Sequence, residues 1–128
     1  METKNSGGRK ILIIEDEASI SDVCRRVLTR EGFEVDIAVN GKLAQDMVLR
    51  KQYDLCLIDI RTPDMNGMEF YEWLEQEHLQ LTRGVIFTTG SMLEGTINRF
   101  LEVAGRPFLP KPFSPDDLKA VVKKTLQE

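Results

Sequence analysis

Five short apolar runs alternate with five segments of helical period between Lys10 and the end of the chain. The run at residues 55–58 (Leu-Cys-Leu-Ile) carries no polar side chain on either side of its pleat, so both of its faces must be covered. Helices that return over both faces of a parallel sheet meet that need, and the regular alternation predicts this α/β architecture. The runs are far too short to cross a bilayer.

The run at residues 11–14 leads into a helix in which Ile20, Val23, Cys24, Val27 and Leu28 recur at three-and-four spacing, ending at Gly32. Phe33, Val35, Ile37 and Val39 then alternate with Glu34 and Asp36, a half-polar pattern suited to an edge strand. Asn40-Gly41 turns the chain into a second helix with Leu43, Ala44, Met47 and Val48 on one face, and the wholly apolar strand that follows is predicted to be central. A third helix points Phe70, Tyr71 and Leu74 inward. A strand at residues 85–88 and a helix with Ile97, Phe100, Leu101 and Ala104 come next. Phe108 and Leu109 form a short last strand. Ser114 caps the final helix, with Pro115 at its first position, acids in its first turn, and Leu118, Val121, Val122 and Leu126 inward.

A chain of 128 residues is one domain by length and can bury a core without disulfides. Residues 1–9 are polar and contain Asn5, Ser6, Gly7 and Gly8, so they read as a flexible tail before a domain at 10–128. The formal net charge of -4, with no dense basic run, argues against direct nucleic-acid binding. With no targeting or membrane segment, the expected location is cytoplasmic. Cys24 and Cys56 lie in apolar segments without metal or redox spacing and read as reduced core residues. His78, the only histidine, reads as a surface residue near a helix end, while Trp73 and Met65 read as packing residues.

In a parallel α/β sheet, ligands bind beyond the carboxyl ends of the strands. Glu15, Asp16 and Glu17 follow the first strand, Asp59 the third, Thr89 the fourth and Lys111 the fifth, whereas the edge strand offers nothing comparable. Each alone is readily a cap, a turn residue or a surface lysine, but all of them fall on one rim. Glu15, Asp16 and Asp59 would repel one another unless a cation lay between them. Hard oxygen donors without thiolate or imidazole suit Mg²⁺, and Mn²⁺ can substitute. Asp59 beside such a metal can attack phosphorus to form an acyl phosphate, with Lys111 and Thr89 serving the phosphoryl oxygens.

These motifs together resemble the receiver domains of bacterial two-component response regulators. They are Ile14-Glu15-Asp16-Glu17, the stretch from Asp59-Ile60-Arg61 to Asn66-Gly67, Thr89-Gly90 and Lys111-Pro112-Phe113. The resemblance spans residues 10–128. It implies a flavodoxin-like three-layer (βα)5 sandwich with a five-stranded parallel sheet of order 2-1-3-4-5. It also implies that Glu15, Asp16, Asp59 and the main-chain carbonyl of Arg61 bind the metal, that Asp59 accepts the phosphoryl group, and that Thr89 and Phe108 switch. The implied partners are a histidine kinase or histidine phosphotransfer protein and a downstream effector protein or domain. The chemistry implied is self-phosphorylation from phosphohistidine and autodephosphorylation.

The Lys111-Pro112 bond is expected to be cis by the same resemblance. The stretch Gly105-Arg106-Pro107-Phe108-Leu109-Pro110-Lys111 particularly resembles receivers attached to hybrid histidine kinases. The sequence departs from the family pattern at Thr62, where a large apolar residue is usual, and at Glu15, where Asp is common. Arg61 and Ser91 occupy positions that modulate dephosphorylation in the family. The competing reading is a pseudo-receiver that binds proteins without phosphorylation. A dehalogenase-type phosphatase would need an Asp where Arg61 stands, and a flavodoxin would not carry acids after its first strand.

Overall fold

The structure is a computed structural model and describes residues 8–90 and 95–127. Among them, five strands alternate with five helices. In chain order these are β1 (Lys10–Ile14), α1 (Ala18–Arg30), β2 (Glu34–Ala38), α2 (Gly41–Arg50), β3 (Leu55–Asp59), α3 (Gly67–Glu77), β4 (Val85–Thr89), α4 (Gly95–Ala104), β5 (Phe108–Pro110) and α5 (Pro115–Gln127). All strand pairings are parallel and the sheet order is β2-β1-β3-β4-β5, the flavodoxin-like arrangement. The half-polar β2 stands at an edge, and the wholly buried β3 stands in the middle.

The pleat sorts each strand's side chains between two cores. Leu12, Ile14, Cys56, Ile58, Val85 and Phe87 pack beneath α2, α3 and α4 with Ala44, Val48, Phe70, Leu74 and Ile97. Ile11, Ile13, Leu55, Leu57, Ile86 and Leu109 pack beneath α1 and α5 with Cys24, Leu28, Leu118 and Val122. Both cysteines are buried and unpaired, and burial pushes their thiols up to about 11 for Cys24 and about 12 for Cys56. Trp73 and Met65 pack against the first core, as expected.

Side chains at helix ends and flanks differ from the periodic reading. Val23, Leu43 and Val39 are 44%, 45% and 47% exposed. The buried stripe of α1 runs through Ser21, Cys24 and Leu28, which turns Val23 away, and α2 buries Gly41, Ala44 and Val48 rather than Leu43. Small residues let these helices approach the sheet closely, so the apolar face is narrower than the apolar sequence. His78 is half-buried rather than a free surface residue, with its ring centre 4.9 Å from that of Trp73.

A 3-10 segment at Leu79–Gly84 joins α3 to β4. Its three-residue period and short length leave no amphipathic pattern to read. At the start of α5, the Asp117 N–H donates to the Ser114 hydroxyl at 3.0 Å, and the Ser114 N–H donates to the Asp117 carboxylate at 3.2 Å, so the expected cap is present. The Lys111-Pro112 bond is cis. Most of the expected tail (residues 1–7) and Ser91 lie outside the described residues. No helix among the described residues is long and apolar enough to cross a membrane.

Candidate phosphoacceptor site

Pleat alternation explains which side chains meet at the carboxyl rim. Glu15 continues the phase of Ile11 and Ile13, Asp59 that of Leu55 and Leu57, and Lys111 that of Leu109. All three therefore emerge on the α1 and α5 side of the sheet. The sheet ladder holds their backbones in place: the Glu15 N–H donates to the Ala38 carbonyl at 3.0 Å, and the Lys111 N–H to the Thr89 carbonyl at 3.1 Å.

The Lys111 ammonium lies 2.7 Å from a Glu15 oxygen, 2.9 Å from an Asp59 oxygen and 3.6 Å from a Glu17 oxygen. The other Asp59 oxygen accepts from the Arg61 N–H at 3.0 Å, and the second Glu15 oxygen accepts from the Glu17 N–H at 3.0 Å. Glu15 and Asp59 are buried and Asp16 is exposed, yet all three carboxylates offer oxygens within 4.8 Å of one another. Thr89 is also buried and, with Asp16, Asp59, Arg61, Gly90 and Lys111, lines a cavity of about 370 Å³. Phe108 packs half-buried on the opposite face, in register with Phe87.

Burial drives the Glu15 carboxyl above its ordinary range, against the pull of the Lys111 ammonium and the Glu17 N–H, and the neighbouring Asp59 adds to the rise. Burial also opposes the charge on Lys111, but hydrogen bonds with Glu15 and Asp59 outweigh it and hold the ammonium's pKa above the ordinary lysine value. One ammonium thus faces several carboxylates, and the excess negative charge is a standing attraction for a further cation. The donors are all hard oxygens, with no imidazole or thiolate among the grouped ligands, which fits Mg²⁺ or Mn²⁺ and not zinc.

Among the described residues, every site residue expected from the sequence reaches this rim except Phe108, which lies behind it. Two residues that the sequence motifs contained without a role of their own also take part. Glu17 joins the ion-pair cluster, and Gly90 lines the cavity wall, where a side chain would come within 3.5 Å of Lys111 carbons.

A five-stranded flavodoxin-like sheet with an acid cluster and a lysine at its carboxyl rim defines a receiver-type α/β domain. Residues 11–123 match the response regulator receiver domain, and the chain belongs to that family. It is 30% identical over 116 residues to the transcriptional regulatory protein CrdR of Helicobacter pylori, covering 91% of this chain and 54% of that protein. It is 31% identical to the response regulator protein PilR of Pseudomonas aeruginosa, covering 93% of this chain and 26% of the relative. The chain thus spans about half the length, or less, of these curated relatives. Among solved structures, a CheY-like response regulator receiver domain protein from Methanospirillum hungatei superposes with a TM-score of 0.85 at 30% identity, covering 94% of each chain.

Proposed function

We propose that Asp59 is the phosphoacceptor of this receiver domain and takes its phosphoryl group from the phosphohistidine of a histidine kinase or histidine phosphotransfer protein. The observation that carries this reading is the Asp59 carboxylate itself, 4% exposed, with one oxygen on the Arg61 N–H and the other on the Lys111 ammonium. A carboxylate so held has both oxygens fixed at the wall of the cavity, where a phosphoryl donor can reach it.

Glu15, Asp16, Asp59 and the Arg61 main-chain carbonyl would hold Mg²⁺, or Mn²⁺ in its place. When bound, the cation neutralises charge on the transferring phosphoryl oxygens. The chain's own residues supply the rest. An Asp59 oxygen forms a bond to phosphorus as the P–N bond of phosphohistidine breaks, and the departing ring nitrogen keeps the electron pair and takes a proton from solvent. Lys111 exchanges a carboxylate partner for one phosphoryl oxygen, and the Thr89 hydroxyl donates to another. Hydrolysis of the acyl phosphate returns the carboxylate.

The output is a population shift in which Thr89 moves toward the phosphoryl group and Phe108 turns inward. Phe108 stands opposite Phe87, whose ring packs against Tyr71 and Phe100, so its rotation reshapes the surface of α4 and β5. A downstream effector protein or domain reads that surface. Residues 10–128 would be the receiver unit, acting alone or within a longer regulator or hybrid kinase.

Titration with beryllofluoride and Mg²⁺, followed by Trp73 fluorescence and amide NMR, tests the reading. A saturable response centred on residues 59, 89 and 108 is expected. A chain that responds to neither reagent is a protein-binding module of receiver fold, and the proposal fails.

A further inference from the structure

The start of α2 contributes no side chain to the acidic rim, yet it touches the loop that does. That loop, residues 60–66, runs from β3 to α3 and bears the Arg61 N–H that meets Asp59. It contains two non-glycine residues in the left-handed region, Asp64 at φ 49° and Met65 at φ 79°. Such residues persist only where surrounding contacts hold them.

The far end of the loop is fixed by the α3 capping box, in which Asn66 and Glu69 exchange hydrogen bonds of 2.9 Å, and by the Gly67 N–H on the Ile60 carbonyl at 2.9 Å. Its middle is held by the Met65 carbonyl, which accepts from the Gly41 N–H at 3.2 Å and, at a longer 3.4 Å, from the Thr62 hydroxyl. Gly41 is buried at the first position of α2, and a Cβ there would stand 2.5 Å from the Met65 carbonyl oxygen and 2.8 Å from its Cγ. The nearer of these is a backbone atom that cannot swing aside.

We propose that Gly41 is a positioning residue for the phosphoacceptor loop: its missing side chain lets the Met65 carbonyl seat against α2, and this seat fixes the Arg61 main chain beside Asp59. The inference rests on the reading of Arg61 and Asp59 given above. Any side chain at residue 41 must displace either α2 or the loop. α2 is anchored by the fully buried Ala44 and by Val48; the loop is anchored at Ile60 and Thr62, which are buried, but Arg61, Pro63 and Asp64 are exposed, so the strain falls on this exposed stretch of the loop.

Gly41→Ala tests this with two readouts. Mg²⁺ affinity, measured by amide NMR on the full chain, is expected to fall about tenfold, the effect of losing support behind a metal ligand. Amide hydrogen exchange at Arg61 in metal-free protein is expected to quicken by a similar factor, because its bond to Asp59 is loosened. Unchanged Arg61 exchange overturns the proposal whatever the metal does. If wild-type protein binds no Mg²⁺, the phosphoacceptor reading fails and Arg61 exchange alone decides the role of Gly41. Should the Ala variant not fold, the wild-type chain still decides the matter. Coupling is reciprocal, so saturating Mg²⁺ must slow exchange of the Gly41 N–H, and unaltered Gly41 protection overturns the proposal.

Discussion

The Lys111 ammonium lies 2.9 Å from an oxygen of Asp59, tying the end of β5 to the end of β3 across the intervening β4. The same ammonium sits 2.7 Å from Glu15, which is 3% exposed. One side chain therefore compensates two buried carboxylates from two strands.

Lys111→Met leaves Glu15 and Asp59 facing each other with no cation between them. Removing one member of a buried charge cluster costs about 3 kcal/mol or more at neutral pH. Urea unfolding at pH 7 should show that loss, and Mg²⁺ should restore part of it by resupplying positive charge. Unchanged stability would mean that the ammonium does not neutralise the cluster.

Away from the rim, Lys51 bridges Glu34 at 2.6 Å and Asp36 at 2.8 Å, and the Tyr53 hydroxyl donates to the same Asp36 oxygen at 2.6 Å. Burial opposes the Asp36 charge, but the bonds from Lys51 and Tyr53 outweigh it and lower its pKa below the ordinary 3.8. The unfolded state then binds the proton more readily than the folded state, so stability rises with pH through this window. The contribution of Asp36 is present above about pH 3.8 and is lost as pH falls through the lowered value. Asp36→Asn should flatten this part of the acid limb in a pH series of urea melts. A variant with the same acid limb as wild type would remove Asp36 from the account.

Thr88 stands opposite Asp59 in the β3–β4 register, and its hydroxyl is buried with no hydrogen-bond partner among the described residues. Thr88→Val removes that unmet group at nearly constant shape and should stabilise by about 1 kcal/mol, or roughly 4 °C in Tm. Calorimetry checks it, and a lower Tm would reveal a partner for the hydroxyl.

These features were unequally legible in the sequence. The rim could be read because a parallel sheet delivers whatever follows each strand to one edge, so Asp59, Thr89 and Lys111 needed only their strands located. The phase that puts Glu15, Asp59 and Lys111 on one face was also implicit in Ile13, Leu57 and Leu109. The Lys51–Asp36–Tyr53 network was not legible, since it joins an edge strand to the segment before β3 through side-chain reach rather than period. Its one signal was the pair of acids, Glu34 and Asp36, on a strand otherwise apolar. Gly41 looked like an ordinary turn glycine, because the approach of the Met65 carbonyl depends on a left-handed loop that no local pattern announces.

The central claim is that Asp59 accepts a phosphoryl group, and intact-mass measurement after incubation with a small phosphodonor and Mg²⁺ tests it most directly. Wild-type protein should gain the mass of one phosphoryl group as an acyl phosphate labile to hydroxylamine, with no gain when Mg²⁺ is chelated, and Asp59→Asn should gain none. Equal labelling of Asp59→Asn, or none of folded wild-type protein, would contradict the account.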